Sequence, residues 1–158
     1  MIRIAIMSDL HVEKGPYHPP RLDADLVILA GDVGWGPEGV QWIAQHLAGR
    51  PVVYVAGNRE HWHWGDGTDP VAALRAQAAR VPGLRFLQDE AAVFRFDDRH
   101  IRILGATLWT DYRLEGDPEA AMATAQARMP DYKNGRGSDG KPLTAAQVAA
   151  WNRGSVAF

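Results

Sequence analysis

Residue types that bind metal ions recur at the ends of apolar runs in this chain. Ser8-Asp9-Leu10-His11 follows the run at residues 2–7, Gly31-Asp32 follows 26–30, and Gly57-Asn58 follows 52–56. Asp9 and His11 stand two apart, a spacing that turns both side chains to one side of an extended segment. Asp9, His11, Asp32 and Asn58 form a hard oxygen set with one borderline nitrogen, suited to Mn, Fe or Zn rather than to Cu(I) or an iron–sulfur cluster. The chain has no cysteine, which excludes disulfides, thiolate nucleophiles and cysteine zinc sites. The set matches a two-metal hydrolase, in which a shared carboxylate, here Asp32, bridges ions about 3.5–4 Å apart and a bound water loses its proton near neutral pH. Singly, each residue is ordinary turn chemistry. At successive strand ends they point together to a metal centre.

Such loops converge only if the strands before them are parallel neighbours, because the carboxyl ends of adjacent parallel strands line one crevice. The runs are rich in Ile and Val and nearly continuous, as strands buried on both faces are. Between the second and third, Val40, Ile43 and Leu47 recur at helical spacing, and Asp69-Pro70 caps and opens a helix over residues 70–80. Strands are expected at 84–87, 92–96 and 101–106, the last two joined by a turn at Asp97-Asp98-Arg99-His100. The expected fold class is therefore α/β, a mixed, largely parallel β-sheet with flanking helices. Asp117-Pro118 starts a helix reaching Arg128, residues 130–142 with three glycines read as a mobile loop, and Thr144 with Gln147 opens a last helix through a capping box. Gly31 and Gly57 let the backbone turn sharply and bring the ligands close to the ions.

With 158 residues, 46% apolar, the chain has enough material for one core. Its 17 Lys and Arg against 19 Asp and Glu leave a net charge of -2, without the basic footprint of nucleic-acid or anionic-membrane binding. Lacking such a stripe, the six tryptophans read as core and pocket packing rather than nucleobase stacking. No apolar run approaches the roughly 20 residues a membrane span needs, and residues 1–7 are too short for a signal-peptide core. A cytoplasmic location is expected, though a cysteine-free chain fits cytosol and periplasm alike.

Asp9-Leu10-His11, Gly31-Asp32 and Gly57-Asn58-Arg59-Glu60 resemble, in order and spacing, the first three blocks of the calcineurin-like metallophosphoesterases. Ser8 to Glu13 and Gly105 to Tyr112 are similar to the bacterial branch of that family. The resemblance implies a four-layer αββα fold, with Asp9, His11 and Asp32 on a first metal, Asp32 and Asn58 on a second, and a small-molecule or nucleotide phosphoester hydrolysed by metal-bound hydroxide. Where the family's third block carries a histidine thought to protonate the leaving group, this chain has Arg59, always charged but able to clamp phosphate with forked donors. His61 or His63 is the candidate substitute acid, set against a plain packing role for the stretch His61 to Trp64. The family's further metal-binding histidine blocks have no counterpart here. The resemblance thus reads residues 1–158 as the N-terminal part of a longer domain, and leaves two functional readings open: a phosphoesterase, or a noncatalytic remnant acting as a binding module. Asp111 and Tyr112 are candidate substrate contacts.

Overall fold

Runs that are apolar on both faces must be covered on both faces, and the architecture follows from that requirement. In the computed structural model, which describes Met1–Phe158, β1 (Ile4–Met7), β2 (Leu26–Ala30), β3 (Val52–Val55) and β4 (Leu84–Phe86) lie side by side in chain order, every neighbouring pair parallel. Parallel neighbours need crossovers. Helix α1 (Glu38–His46) supplies the one from β2 to β3, and α2 (Pro70–Ala78) the one from β3 to β4. Asp69 opens α2 as its sequence implies, accepting from the amides of Val71 and Ala72 with Pro70 at the first helical position.

On one face of the sheet Val27, Leu29, Val52 and Tyr54 are sealed by Val40 and Ile43 of α1 and Leu74 of α2, and each such side chain contributes about 1.5–3 kcal/mol when fully buried. The other face is covered differently from expectation. Strands β5 (Glu90–Phe96) and β6 (Arg99–Gly105) pair antiparallel with each other in a separate sheet. They do not join the parallel strands into one mixed sheet. Instead the hairpin lies across Leu26, Val53 and Leu87, packing Phe94, Phe96 and Ile103 against them. Its alternation explains this: Phe94 and Phe96 are partly buried while Val93 between Ala92 and Phe94 is 60% exposed, the period-two pattern of a sheet with one covered face. Asp97 turns the hairpin at φ 52°.

Helices α3 (Pro118–Arg128), α4 (Asp131–Asn134) and α5 (Ala145–Ala157) gather a second core around Tyr112, Ala125, Tyr132, Leu143 and Val148. Thr144 and Gln147 form the expected capping box. Residues 130–142, read from sequence as a mobile loop, are anchored: Asp131, Tyr132, Gly135, Gly137 and Gly140 are buried, and bridges join Trp62 to Gly135 and Arg136 to Pro142. Close contact calls for glycine here, since a Cβ on Gly135 would lie 2.6 Å from the carbonyl oxygen of Asp131, and Gly140 also takes left-handed backbone at φ 70°. No helix is long and apolar enough to cross a membrane.

Candidate metal centre

The loops leaving β1, β2 and β3 meet at the carboxyl end of the sheet. The amide of Asp9 donates to the Gly31 carbonyl and that of His11 to the Asp32 carbonyl, each at 3.1 Å, stitching the first two loops together. One ligand atom from each of Asp9, His11 and Asp32 then lies within 4.8 Å of the others. Convergence does not arise from an extended segment, as the two-residue spacing implied. Asp9, His11 and Asp32 all take left-handed backbone, at φ 54°, 48° and 51°, a conformation costing a non-glycine residue about 1–2 kcal/mol. Strain of this kind gathers where surrounding structure over-determines it.

Glu60 supplies much of that determination. Its side chain is fully buried and accepts from the amides of Asp32 (3.0 Å), Val33 (2.8 Å) and Gly57 (2.7 Å) and from the Tyr54 hydroxyl (2.7 Å). The second and third loops are thereby tied to one carboxylate. Gly31 and Gly57 allow the approach: at φ 86°, a Cβ on Gly31 would sit 2.8 Å from the Gly57 nitrogen, and one on Gly57 would overlap Oδ1 of Asp32.

The Asp32 carboxyl is perturbed here. Burial pushes the Asp32 carboxyl above its ordinary 3.8 and the neighbouring Asp9 charge adds to the rise, while the Arg59 amide, His11 and the Arg59 guanidinium oppose it. Two carboxylates crowded in a partly dry site are what a bound divalent ion relieves. His11 is held between two carboxylates. Its Nδ1 lies 2.8 Å from Oε1 of Glu13 and its Nε2 3.9 Å from Oδ2 of Asp32, the ring orientation that carboxylates impose on metal-binding histidines. Glu13 was visible in sequence only as the end of a motif; its place two residues after His11 was the signal.

A cavity of about 390 Å³ opens over these groups, lined by Asp9, Asp32, Asn58, Trp109, Asp131 and Tyr132 among others. Asn58 thus lines the same cavity as Asp9 and Asp32, and Asp131 is the residue that sequence reasoning missed. Buried at 6% exposure, Asp131 accepts from the Asn58 amide nitrogen and, at 3.2 Å, from the Trp62 indole. That bond takes up the Asn58 amide nitrogen, so Asp131 and Asn58 are joined at the cavity wall. Arg59 donates its backbone amide to Oδ1 of Asp32 at 3.0 Å, while its guanidinium lies 4.0 Å from the centroid of the Trp62 ring and its Nε 4.0 Å from Oδ2 of Asp32.

The histidines proposed as substitute acids do not face this cavity. His61, 2% exposed, directs Nδ1 to the Arg136 carbonyl at 3.1 Å and lines a different cavity; as the last residue of the short helical turn Arg59–His61, it is carried away from Asn58 into packing against Trp109 and Trp151. His63 is exposed and stacks on Trp35 with ring centroids 4.2 Å apart. Asp111 is exposed too and accepts from the Arg113 amide, whereas Tyr112 reaches the site through its hydrogen bond to the Tyr132 hydroxyl.

The fold and site define an α/β protein with an Asp-His-Asp cluster fit for a metal ion at the carboxyl end of a parallel sheet. Comparison with protein-family models, with curated proteins and with solved structures finds no match.

Proposed function

We propose that this chain is a metal-dependent phosphoesterase, cleaving a phosphomonoester or phosphodiester of a small molecule or nucleotide, and that it belongs with the calcineurin-like metallophosphoesterases and their four-layer fold. The observation that carries the reading is the meeting of Asp9, His11 and Asp32 within 4.8 Å, with Asn58 of the next strand end lining the same cavity as Asp9 and Asp32. Asp9, His11 and Asp32 would hold a first ion, and Asp32 with Asn58 a second. Divalent ions held there would supply a water acidified toward neutral pH and positive charge for the phosphoryl oxygens. Asp32 is fixed by its own backbone bonds to Glu60 and His11, so its two oxygens are pre-aimed. Glu13 would hold His11 in the ligating tautomer, and Asp131, by taking the Asn58 amide nitrogen, would leave the Asn58 oxygen for an ion. Arg59, with its Nε 4.0 Å from Oδ2 of Asp32, would bind a phosphate oxygen and so make the phosphorus more electrophilic.

A second reading has its own observation. The Arg59 guanidinium, with its Nε 4.0 Å from Oδ2 of Asp32, brings positive charge to the carboxylate a second ion must share, and only one cluster of ligand atoms meets the spacing for an ion. On that reading the chain binds a single ion and acts as a binding module. Metal titration and turnover separate the two. The expected result is Mn-dependent release of p-nitrophenol from p-nitrophenyl or bis-p-nitrophenyl phosphate that Asp32→Ala abolishes. Binding of one Mn with no turnover of either ester would leave the binding module standing and remove the enzyme.

A further inference from the structure

Trp109 also lines a second cavity, of about 200 Å³, whose other walls include His61, Asp69, Gln88, Asp89 and Trp151. Its volume is far above the ~10–15 Å³ that a single water requires, and Ser138, one of its lining residues, is exposed. None of Asp9, Asp32 or Asn58 contributes to it.

The polar atoms here lack partners in one consistent sense. Asp89 is pinned through Oδ2 by the Gln88 amide at 3.3 Å, and its Oδ1 has neither a hydrogen bond nor accessible surface, so the carboxylate acts on the cavity through its charge. Asp69 spends Oδ1 on the first amides of α2 and makes no hydrogen bond through Oδ2. The third is His61: the Arg136 carbonyl can only accept, so Nδ1 carries the hydrogen and Nε2 is a bare acceptor on a side chain 2% exposed. Burial lowers its pKa below the ordinary 6.5, which keeps it an acceptor at neutral pH. The charged lining is wholly acidic, without Lys or Arg. Trp109 and Trp151 stand against His61 with ring centroids 5.2 and 5.4 Å from the imidazole.

Two carboxylates and an imidazole are also a metal set, but the ligand atoms of His61, Asp69 and Asp89 do not come within 4.8 Å of one another as those of Asp9, His11 and Asp32 do. A single ion is too small to serve acceptors so far apart. A molecular cation with several N–H donors spans them, and indole faces attract such cations. We propose that the cavity enclosed by His61, Asp69, Asp89, Trp109 and Trp151 is a binding site for a small organic cation, an alkylammonium or alkylguanidinium compound. Its carboxylates pair with the charge, His61 Nε2 accepts an N–H, and the indoles cover the alkyl chain. Apart from Trp109, the site shares no lining residue with the cavity over Asp9, Asp32 and Asn58.

The test titrates n-butylammonium, n-butanol and butyrate into the metal-free protein, reading tryptophan emission and the indole N–H resonances of Trp109 and Trp151. The expected result is saturable binding of n-butylammonium, at least about tenfold tighter than n-butanol, with no binding of butyrate. Asp89→Asn, which keeps shape and removes charge, is expected to weaken the cation by about tenfold, a loss of one paired charge. Asp69→Asn does the same while leaving α2 capped, since Asn caps as well as Asp; it decides the question if Asp89→Asn fails to fold. Equal affinity for n-butylammonium and n-butanol, or unchanged cation affinity in the folded Asn variants, would overturn the proposal.

Discussion

Glu60 and the pair Tyr112 and Tyr132 show how single side chains hold this protein together. A buried carboxylate is costly unless its oxygens are satisfied, and Glu60 meets that condition with donors from Asp32, Val33, Gly57 and Tyr54. Burial still holds its carboxyl above the ordinary 4.5, so the network is stabilising only because the amides it binds would otherwise be orphaned. The two tyrosines are the neutral counterpart. Their hydroxyls bond to each other inside the second core, and burial, reinforced by that bond, raises Tyr112 above its ordinary 10.0; burial raises Tyr132 as well. An acid whose folded pKa is raised retains its proton after the unfolded chain has lost it, so its contribution is complete below the ordinary value and is lost as pH rises past it. The urea midpoint is accordingly expected to fall between about pH 8 and about pH 11, and to fall less when Tyr112→Phe and Tyr132→Phe are combined. An equal fall in parent and double variant would show that other groups govern the alkaline limb.

Among elements, the strand-end loops matter more than the strands. Each ligand rides on a turn that only close contact with the next loop keeps in place, and Gly57 is where the contact is closest. A Cβ there would overlap the Asp32 carboxylate and lie 2.7 Å from the Asp32 nitrogen. Gly57→Ala is therefore expected to cost about 1–3 kcal/mol, the usual penalty of overpacking, and to weaken Mn binding because Asp32 must move. Gly154→Ala is the opposite case: within α5, with nothing inside 4 Å of the added carbon, it is expected to add about 0.5–1 kcal/mol through helix propensity. Thermal melts of both variants, with Mn titration of the first, check the pair. Helix starts were legible in the sequence because Asp69, Asp117 and Thr144 act through their own neighbouring amides. The hairpin's position was not, since the residues that decide it, Phe94 and Phe96, find their partners on β2 and β3.

At the scale of the whole molecule, the hairpin covers only part of the sheet. Ile4 and Ile6 pair with Leu26 and Ile28 in the register of β1 and β2, so they continue the face the hairpin buries. Ile4 is 38% and Ile6 69% exposed, on a strand with a neighbour along one side only. An unpaired edge carrying apolar side chains is a template for association. The sedimentation coefficient is expected to rise with protein concentration, and Ile6→Lys to suppress that rise while leaving the melting temperature within a degree or so, as exposed substitutions do. A coefficient independent of concentration in the parent would show that the edge stays single.

The sequence by itself determined the parallel strands, their crossover helices, the caps, and the placing of Asp9, His11, Asp32 and Asn58 at strand ends, because periodicity, capping and turn chemistry act over a few residues. Only the tertiary structure decided that the hairpin forms its own layer, that His61 turns away from the metal cluster to wall a second cavity, and that residues 130–142 are anchored. It alone joined Asn58 to Asp131 across 73 positions. Contacts of that range depend on how separately formed elements pack, and a local pattern of residue types carries no record of the packing.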